Sequence, residues 1–91
     1  MKHAGPSALD RLEPLLASLR KQGSLKEKSR GCFYRADRGF VHFHEHGEEL
    51  FADVTFPHAD ERVPVTTRAE RSDLMKRIRA ALSDGTSRKS R

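Results

Sequence analysis

The sequence predicts an α+β fold, a two-layer sandwich ordered helix, four-stranded antiparallel sheet, helix, with both helices on one sheet face. Hydrophobic residues recur at helical spacing near both ends of the chain. Between them, over residues 31–67, apolar and polar residues alternate in short runs separated by turns, as half-buried strands require. The chain has 91 residues, of which 35% are hydrophobic, so we expect one domain over residues 7–83 and no second core.

The N-terminal helix is predicted over residues 8–22. Five leucines lie there at helical spacing: Leu9, Leu12, Leu15, Leu16 and Leu19. Pro14 is compatible with a single helix if Asp10 is the N-cap, because the first four amides of a helix have no intrahelical partner. We expect residues 1–6 to be a disordered leader and residues 24–30 to be a polar connector anchored by Leu25.

Three strands follow, "GCFYRA", "GFVHFHE" and "EELFADVTF", and the short "DRG" and "HGE" turns predict antiparallel hairpins. We expect Val41 and Phe43 to point towards the helices. A two-residue turn at His46-Gly47 or Gly47-Glu48, and another near Asp37-Arg38, then determine which residues share that inward face. These are Leu50, Ala52, Val54, Cys32, Tyr34 and Ala36.

The fourth strand, "RVPVTT", contains Pro64, which lacks an amide hydrogen and therefore favours a sheet edge. Thr67 and Glu70 then have the spacing of a capping box at the start of the last helix. The apolar stripe of that helix consists of Leu74, Met75, Ile78, Ala81 and Leu82. We expect Asp84-Gly85 to end it and residues 84–91 to form a flexible basic tail.

Charge is unevenly distributed along the chain. The net charge is +4 over residues 1–30, −4 over residues 31–67 and +5 over residues 68–91. An acidic sheet argues against nucleic-acid binding on its surface. A weaker alternative is non-specific phosphate contact by the last helix and tail. Its candidate residues are Arg71, Lys76, Arg77 and Arg79.

The single cysteine cannot form an internal disulfide, which suits the reducing cytoplasm. The N-terminal residues have the pattern of neither a signal peptide nor a membrane span. We therefore expect a cytoplasmic protein with no membrane partner.

The sheet face turned away from the helices is the candidate functional surface. It is expected to carry Phe33, Arg35, Phe40, His42, His44, Phe51 and Asp53. Three phenylalanines there would form an exposed apolar patch. A second copy of the chain could cover the patch, as could the terminal segment or the loop at residues 56–61. The sequence therefore favours a homodimeric, non-catalytic interaction module with an unidentified protein or small-molecule partner.

Metal binding is the main alternative. His42 and His44 are two residues apart on one strand and so point the same way, and Asp53 is expected opposite His42 on the next strand. Two imidazoles and a carboxylate are ligands that suit zinc, with one position left open for the water that hydrolysis would need. Alternatively, Asp53 accepts a hydrogen bond that merely orients His42.

We expect no catalytic residues and no cofactor other than such a metal. A His–Asp pair could act as a general base, but Cys32 is predicted on the opposite face, so no nucleophile lies beside it. A chain of this length also has little depth for a pocket.

The string "EKSRGCFYRADRGFVHFHEHGEELFADV", followed by "VPVTTRAER", resembles a family of small uncharacterised bacterial proteins. The features of that family are a Phe-Tyr-Arg strand, an "HFHE" strand, an "LFADV" strand and a C-terminal amphipathic helix. The resemblance covers residues 10–83 and implies a shared fold and a bacterial origin. It assigns no activity to any residue, and His46 departs from the pattern.

Overall fold

The sheet of the computed structural model is antiparallel, with its strands in the order Leu25–Ser29, Cys32–Arg35, Arg38–His46, Glu49–Thr55 and Asp60–Pro64. A further short strand, Lys2–His3, pairs with a separate part of the strand Arg38–His46. The structure describes the backbone of residues 1–89 and the side chains of residues 1–83. Its elements are β1 (Lys2–His3), α1 (Pro6–Arg11), α2 (Glu13–Arg20), β2 (Leu25–Ser29), β3 (Cys32–Arg35), β4 (Arg38–His46), β5 (Glu49–Thr55), β6 (Asp60–Pro64) and α3 (Arg68–Lys89). The predicted α+β class is confirmed, with six strands instead of four and three helices instead of two.

The helices and one face of the sheet share a single hydrophobic core. Val41 and Phe43 are 2% and 3% exposed and belong to this core, as predicted. The leucines of α2 and the apolar stripe of α3 bury their side chains in the same cluster. His42 and His44 alternate with the two core residues along β4, so their side chains lie on the other face of the sheet.

The N-terminal helix is interrupted, contrary to the prediction of one helix over residues 8–22. Its two parts meet at Leu12, whose backbone has φ −92° and ψ 0°. Pro14 cannot donate a hydrogen bond to the carbonyl of Asp10, and its ring would clash with that carbonyl in a continuous helix. The break therefore occurs just before Pro14, which lies in the first turn of α2, and Asp10 is not an N-cap.

Residues 2–5 are ordered, so the prediction of a disordered leader over residues 1–6 is wrong. Lys2 and His3 pair with Glu45 and His44 of β4. Beyond this pairing, the amide of Ala4 donates a hydrogen bond to the carbonyl of Phe43 at 3.0 Å. β3 pairs only with the first part of β4, which leaves backbone groups of the second part available, and β1 satisfies them.

The two edges of the main sheet are β2 and β6. The predicted polar connector is therefore mostly a strand, whose single apolar residue, Leu25, packs against the core. β6 is at an edge, as Pro64 indicated. Thr67 and Glu70 form the predicted capping box, in which each backbone amide donates to the other's side chain at 2.9 and 3.1 Å.

A β-bulge in β4 reverses the predicted orientation of β3. Tyr34 pairs with Gly39 but Phe33 pairs with Val41, so two residues of β4, Phe40 and Val41, lie opposite one residue of β3. Phe33 and Phe40 consequently join the core, at 1% and 4% exposure. The prediction that both were on the open face is wrong, as is the inward orientation predicted for Cys32 and Tyr34.

The last helix continues beyond its predicted end at Asp84-Gly85, because its backbone is helical through Lys89. The side chains of the predicted basic tail, residues 84–91, lie outside the described part of the structure. Among the described residues, no helix is both long and apolar enough to cross a membrane.

Candidate metal centre

Two rows of side chains cross the open face of the sheet. In the first row His42 of β4 pairs with Asp53 of β5, which pairs with Arg62 of β6. In the second row His44 lies between His3 of β1 and Phe51 of β5. Glu49 pairs with His46, so the connecting turn is Gly47-Glu48, and this turn produces the predicted pairing of His42 with Asp53.

His42, His44 and Asp53 bring three metal-binding atoms together. Nε2 of His44 is 2.9 Å from Oδ2 of Asp53, and Nε2 of His42 is 3.9 Å from the same oxygen. One donor atom from each residue lies within 4.8 Å of the donor atoms of the other two. The side chains of His44 and Asp53 are only 13% and 25% exposed. The structure thus brings the three predicted ligands together. The carboxylate of Asp53 is nearer to Nε2 of His44 than to Nε2 of His42.

The nitrogen of His44 nearest to Asp53 is shielded from solvent and has no hydrogen-bond partner among the described residues. It is 2.9 Å from the carboxylate oxygen, within the usual range of hydrogen-bond lengths, yet the two atoms form no hydrogen bond. A buried polar atom without a partner is costly. A cation placed between the two atoms would satisfy both.

Arg62 holds the carboxylate of Asp53 in place. Its Nε donates to Oδ1 at 2.7 Å and a terminal nitrogen donates to Oδ2 at 2.9 Å. This fork lowers the pKa of Asp53 below its usual value, mainly through the hydrogen bonds, and the nearby His44 lowers it further. Asp53 is therefore an oriented anion at neutral pH. Its oxygens have lone pairs beyond those used by Arg62.

His42 is held in the neutral form that a metal ligand needs. Burial is the largest cause of its lowered pKa, and the neighbouring His44 adds to the effect, while Asp53 opposes it. A neutral imidazole presents a lone pair to a metal without first losing a proton.

We expect the lowered pKa of His42 to make the metal-free protein less stable in mild acid. The unfolded chain, in which His42 has its ordinary pKa of about 6.5, takes up a proton before the folded protein does. Stability is therefore retained above about pH 6.5 and falls as the pH drops below it. Urea denaturation in EDTA from pH 7.5 to 5.5 should show this loss. It should be smaller in His42→Gln and unchanged in His58→Gln, an exposed control; equal pH dependence in all three proteins would contradict the assignment.

A pocket of about 600 Å³ opens beside these residues, contrary to the expectation of little depth. His42, Asp53 and Arg62 line it together with Cys32 and His3. One further step of the Phe33–Val41 register places Cys32 opposite His42, so the prediction that it faced the helices is wrong. Sequence reasoning missed His3, Cys32 and Arg62 at this site. Of these three residues, only Arg62 could have been found from the sequence, because its positive charge lies on a strand that follows the one carrying the Asp53 carboxylate.

The open face is not the apolar surface that the sequence predicted. Of the predicted set, His42, His44, Phe51 and Asp53 lie on it, while Phe33 and Phe40 are in the core. Arg35 is two residues from Phe33 along β3, so it is on the same face of the sheet as Phe33 and not on the open face. Only Phe51 remains of the three phenylalanines, and it is half-buried. The homodimer stays a prediction. The patch of three phenylalanines on which it was based does not form, because two of them are in the core.

The four candidate phosphate contacts do not form one available cluster. Arg71 donates to the carbonyls of Val65 and Thr66 at 2.9 and 2.8 Å, which joins α3 to the preceding loop. Arg77 forms an ion pair with Glu61 at 2.7 Å and lies over the ring of Phe56. Lys76 and Arg79 are exposed. Two of the four therefore have structural roles, and nothing in their arrangement favours phosphate binding.

Comparison with protein-family models, curated proteins and solved structures finds no match to this chain. The resemblance to small bacterial proteins stays a prediction. The geometry of the site is therefore the basis for proposing a function.

Proposed function

We propose that this protein binds a divalent transition metal of the zinc type through His42, His44 and Asp53. The observation that carries the proposal is the solvent-shielded Nε2 of His44, which lies 2.9 Å from a carboxylate oxygen without a hydrogen bond to it. Two electron-pair donors this close repel each other unless a proton or a cation lies between them. The neighbouring imidazole of His42 makes a cation the better explanation, because it adds a third donor at the same place.

The separations of the donor atoms support an ion of this size. Bonds of about 2.0–2.1 Å in tetrahedral geometry place two ligand atoms roughly 3.3 Å apart. The separations of the two Nε2 atoms from Oδ2 of Asp53, 3.9 Å for His42 and 2.9 Å for His44, lie on either side of that value. Imidazole nitrogen favours zinc and its neighbours in the first transition row over magnesium or calcium. Arg62 would act as an outer group that orients the ligating carboxylate.

The proposal is tested by metal analysis of the full chain purified without a histidine tag. We expect about one equivalent of zinc per chain after incubation and dialysis, measured by elemental analysis, with an affinity measured by calorimetry. His44→Ala should weaken binding by more than the roughly 10–100-fold that loss of an outer-shell group causes. His46→Ala is the matched control, because His46 is an exposed histidine of the same strand that belongs to neither row.

Two results would contradict the proposal. The first is wild-type protein that retains no zinc under these conditions. The second is a loss in His46→Ala equal to the loss in His44→Ala, which would indicate non-specific binding by surface imidazoles.

The role we propose is metal binding without chemistry on a substrate, in the cytoplasm of a bacterium. The cytoplasmic setting is supported by the single, half-buried cysteine beside the site, which has no partner for an internal disulfide. The bacterial setting is supported by the sequence resemblance alone. Hydrolysis would need a coordination position open to water, so the number of protein ligands decides between binding and catalysis.

A further inference from the structure

We propose that His3 is the fourth protein ligand of this metal site and that the N-terminal strand β1 thereby closes the coordination sphere. The inference rests on the proposed metal site and adds to it a residue from the other end of the domain. Its basis is the position of three imidazole rings, whose centres all lie within 6.0 Å of one another.

The three rings surround a common centre. The ring of His3 lies 4.7 Å from that of His44 and 6.0 Å from that of His42, and the latter two are 5.1 Å apart. These separations define a point about 3.1 Å from every ring centre, and a zinc ion bound through an imidazole nitrogen lies roughly 3.2 Å from the centre of its ring. The spacing of the rings therefore matches one ion shared by all three.

The backbone holds His3 in place for this role. His3 pairs directly with His44 across the two strands, so both side chains lie on the open face. The amide of Ala4 donates to the carbonyl of Phe43 at 3.0 Å, and that of Gly5 donates to the carboxylate of Glu45 at 2.7 Å. These contacts hold the Cα of His3 while its side chain is exposed.

The ring of His3 has to change its orientation to bind the ion. It stacks on His44 with 28° between the planes, and stacked rings direct their nitrogens in similar directions rather than towards a common ion. Because the side chain is exposed, rotation about its side-chain torsions meets little resistance. The rings of His42 and His44 already lie at 66° to each other, which suits convergence on one ion.

A fourth ligand decides the class of the site. Three imidazoles and one carboxylate complete a tetrahedron around zinc, and a closed tetrahedron is typical of structural sites, whereas catalytic sites keep one position for water. The metal would also connect β1 to β4 and β5. β1 is only two residues long, so the ion would add to the hydrogen bonds that attach it.

Cobalt(II) is the probe that tests this inference, because four-coordinate cobalt absorbs visible light far more strongly than five- or six-coordinate cobalt. We expect the untagged full chain to bind one cobalt ion with the intense spectrum. In His3→Ala water should enter in place of the imidazole and raise the coordination number to five or six, which weakens the spectrum. The affinity should fall by more than the roughly 10–100-fold that loss of a group outside the coordination sphere causes. The control Lys2→Ala, on the same strand, should keep the wild-type spectrum and affinity.

A replacement donor separates ligation from a general effect of β1. Because Cys32 lies in the same pocket, His3→Cys is made in a Cys32→Ser background. It should restore four-coordinate absorption and add the sulfur-to-cobalt charge-transfer band that only a directly bound thiolate produces. A wild-type spectrum and affinity in His3→Ala, with cobalt binding still lost in His44→Ala, would overturn the role of His3 and leave the three-residue site intact. Absence of cobalt and zinc binding in the wild type would overturn the proposed function itself.

Discussion

Replacement of Phe33 by alanine is expected to lower the free energy of unfolding by about 3–5 kcal/mol, as for a large side chain removed from a core. Phe33 is 1% exposed and is among the largest fully buried side chains of the domain. The bulge at Phe40 turns the side chain of Phe33 towards the helices, so removal of the Phe33 ring leaves a cavity in the core. Urea denaturation followed by circular dichroism measures the change.

Phe51→Ala is the matched control, because Phe51 is the phenylalanine that stays on the open face of the sheet, half-buried beside His44. Its loss should cost less than half as much as the loss of Phe33. If Phe33→Ala does not fold, Phe33→Leu supplies the comparison, with an expected loss of about 1 kcal/mol or more. A larger loss in Phe51→Ala than in Phe33→Ala would contradict the bulged register and support the unbulged pairing that the sequence suggested.

Zinc is expected to stabilise the protein by about 2.7 kcal/mol when its free concentration is one hundred times the dissociation constant. The reason is mass action, since the three proposed ligands, His42, His44 and Asp53, meet only in the folded chain. For a domain of this size the effect corresponds to a rise of roughly 10–20 °C in the melting temperature. Thermal unfolding with buffered zinc and with EDTA measures it.

The stabilisation should disappear in His44→Ala and remain in His46→Ala. It should also decrease as the pH falls through the range in which imidazoles become protonated, since a proton competes with the metal for the same nitrogen. Equal melting temperatures with zinc and EDTA in the wild type would exclude a metal site that forms on folding. Equal stabilisation of the His44→Ala protein would place the bound metal elsewhere.

The face of β4 and its pairing with β5 could be predicted because they depend on local patterns. Alternation along "VHFHE" separates Val41 and Phe43 from His42 and His44 whatever the rest of the chain does. The two-residue turn at Gly47-Glu48 then places Asp53 opposite His42. Both outcomes need only strand geometry and a short connection, so the grouping of His42, His44 and Asp53 on one face followed from the sequence.

The face of β3 could not be predicted, because a bulge changes the pairing by one residue without altering the alternation of either strand. Phe40 and Val41 are adjacent hydrophobic residues, and the unbulged pairing sent Phe40 outwards with Phe33. Burial of both rings beneath the helices favours the bulge instead. This choice depends on the volume available in the assembled core, which no local pattern describes.

Short-range periodicity and short turns are enough to predict the fold class, the inward face of β4, the capping box of α3 and the histidine pair with its carboxylate. Three further features depend on contacts between distant parts of the chain: His3 lies against His44, Arg62 orients Asp53, and Cys32 lies beside them. His3 is 41 positions from its strand partner. His3 lies there because β3 leaves part of the edge of β4 unpaired, and the N-terminal backbone forms hydrogen bonds with the free backbone groups of that edge. This requirement links distant parts of the chain, so composition and spacing do not encode it.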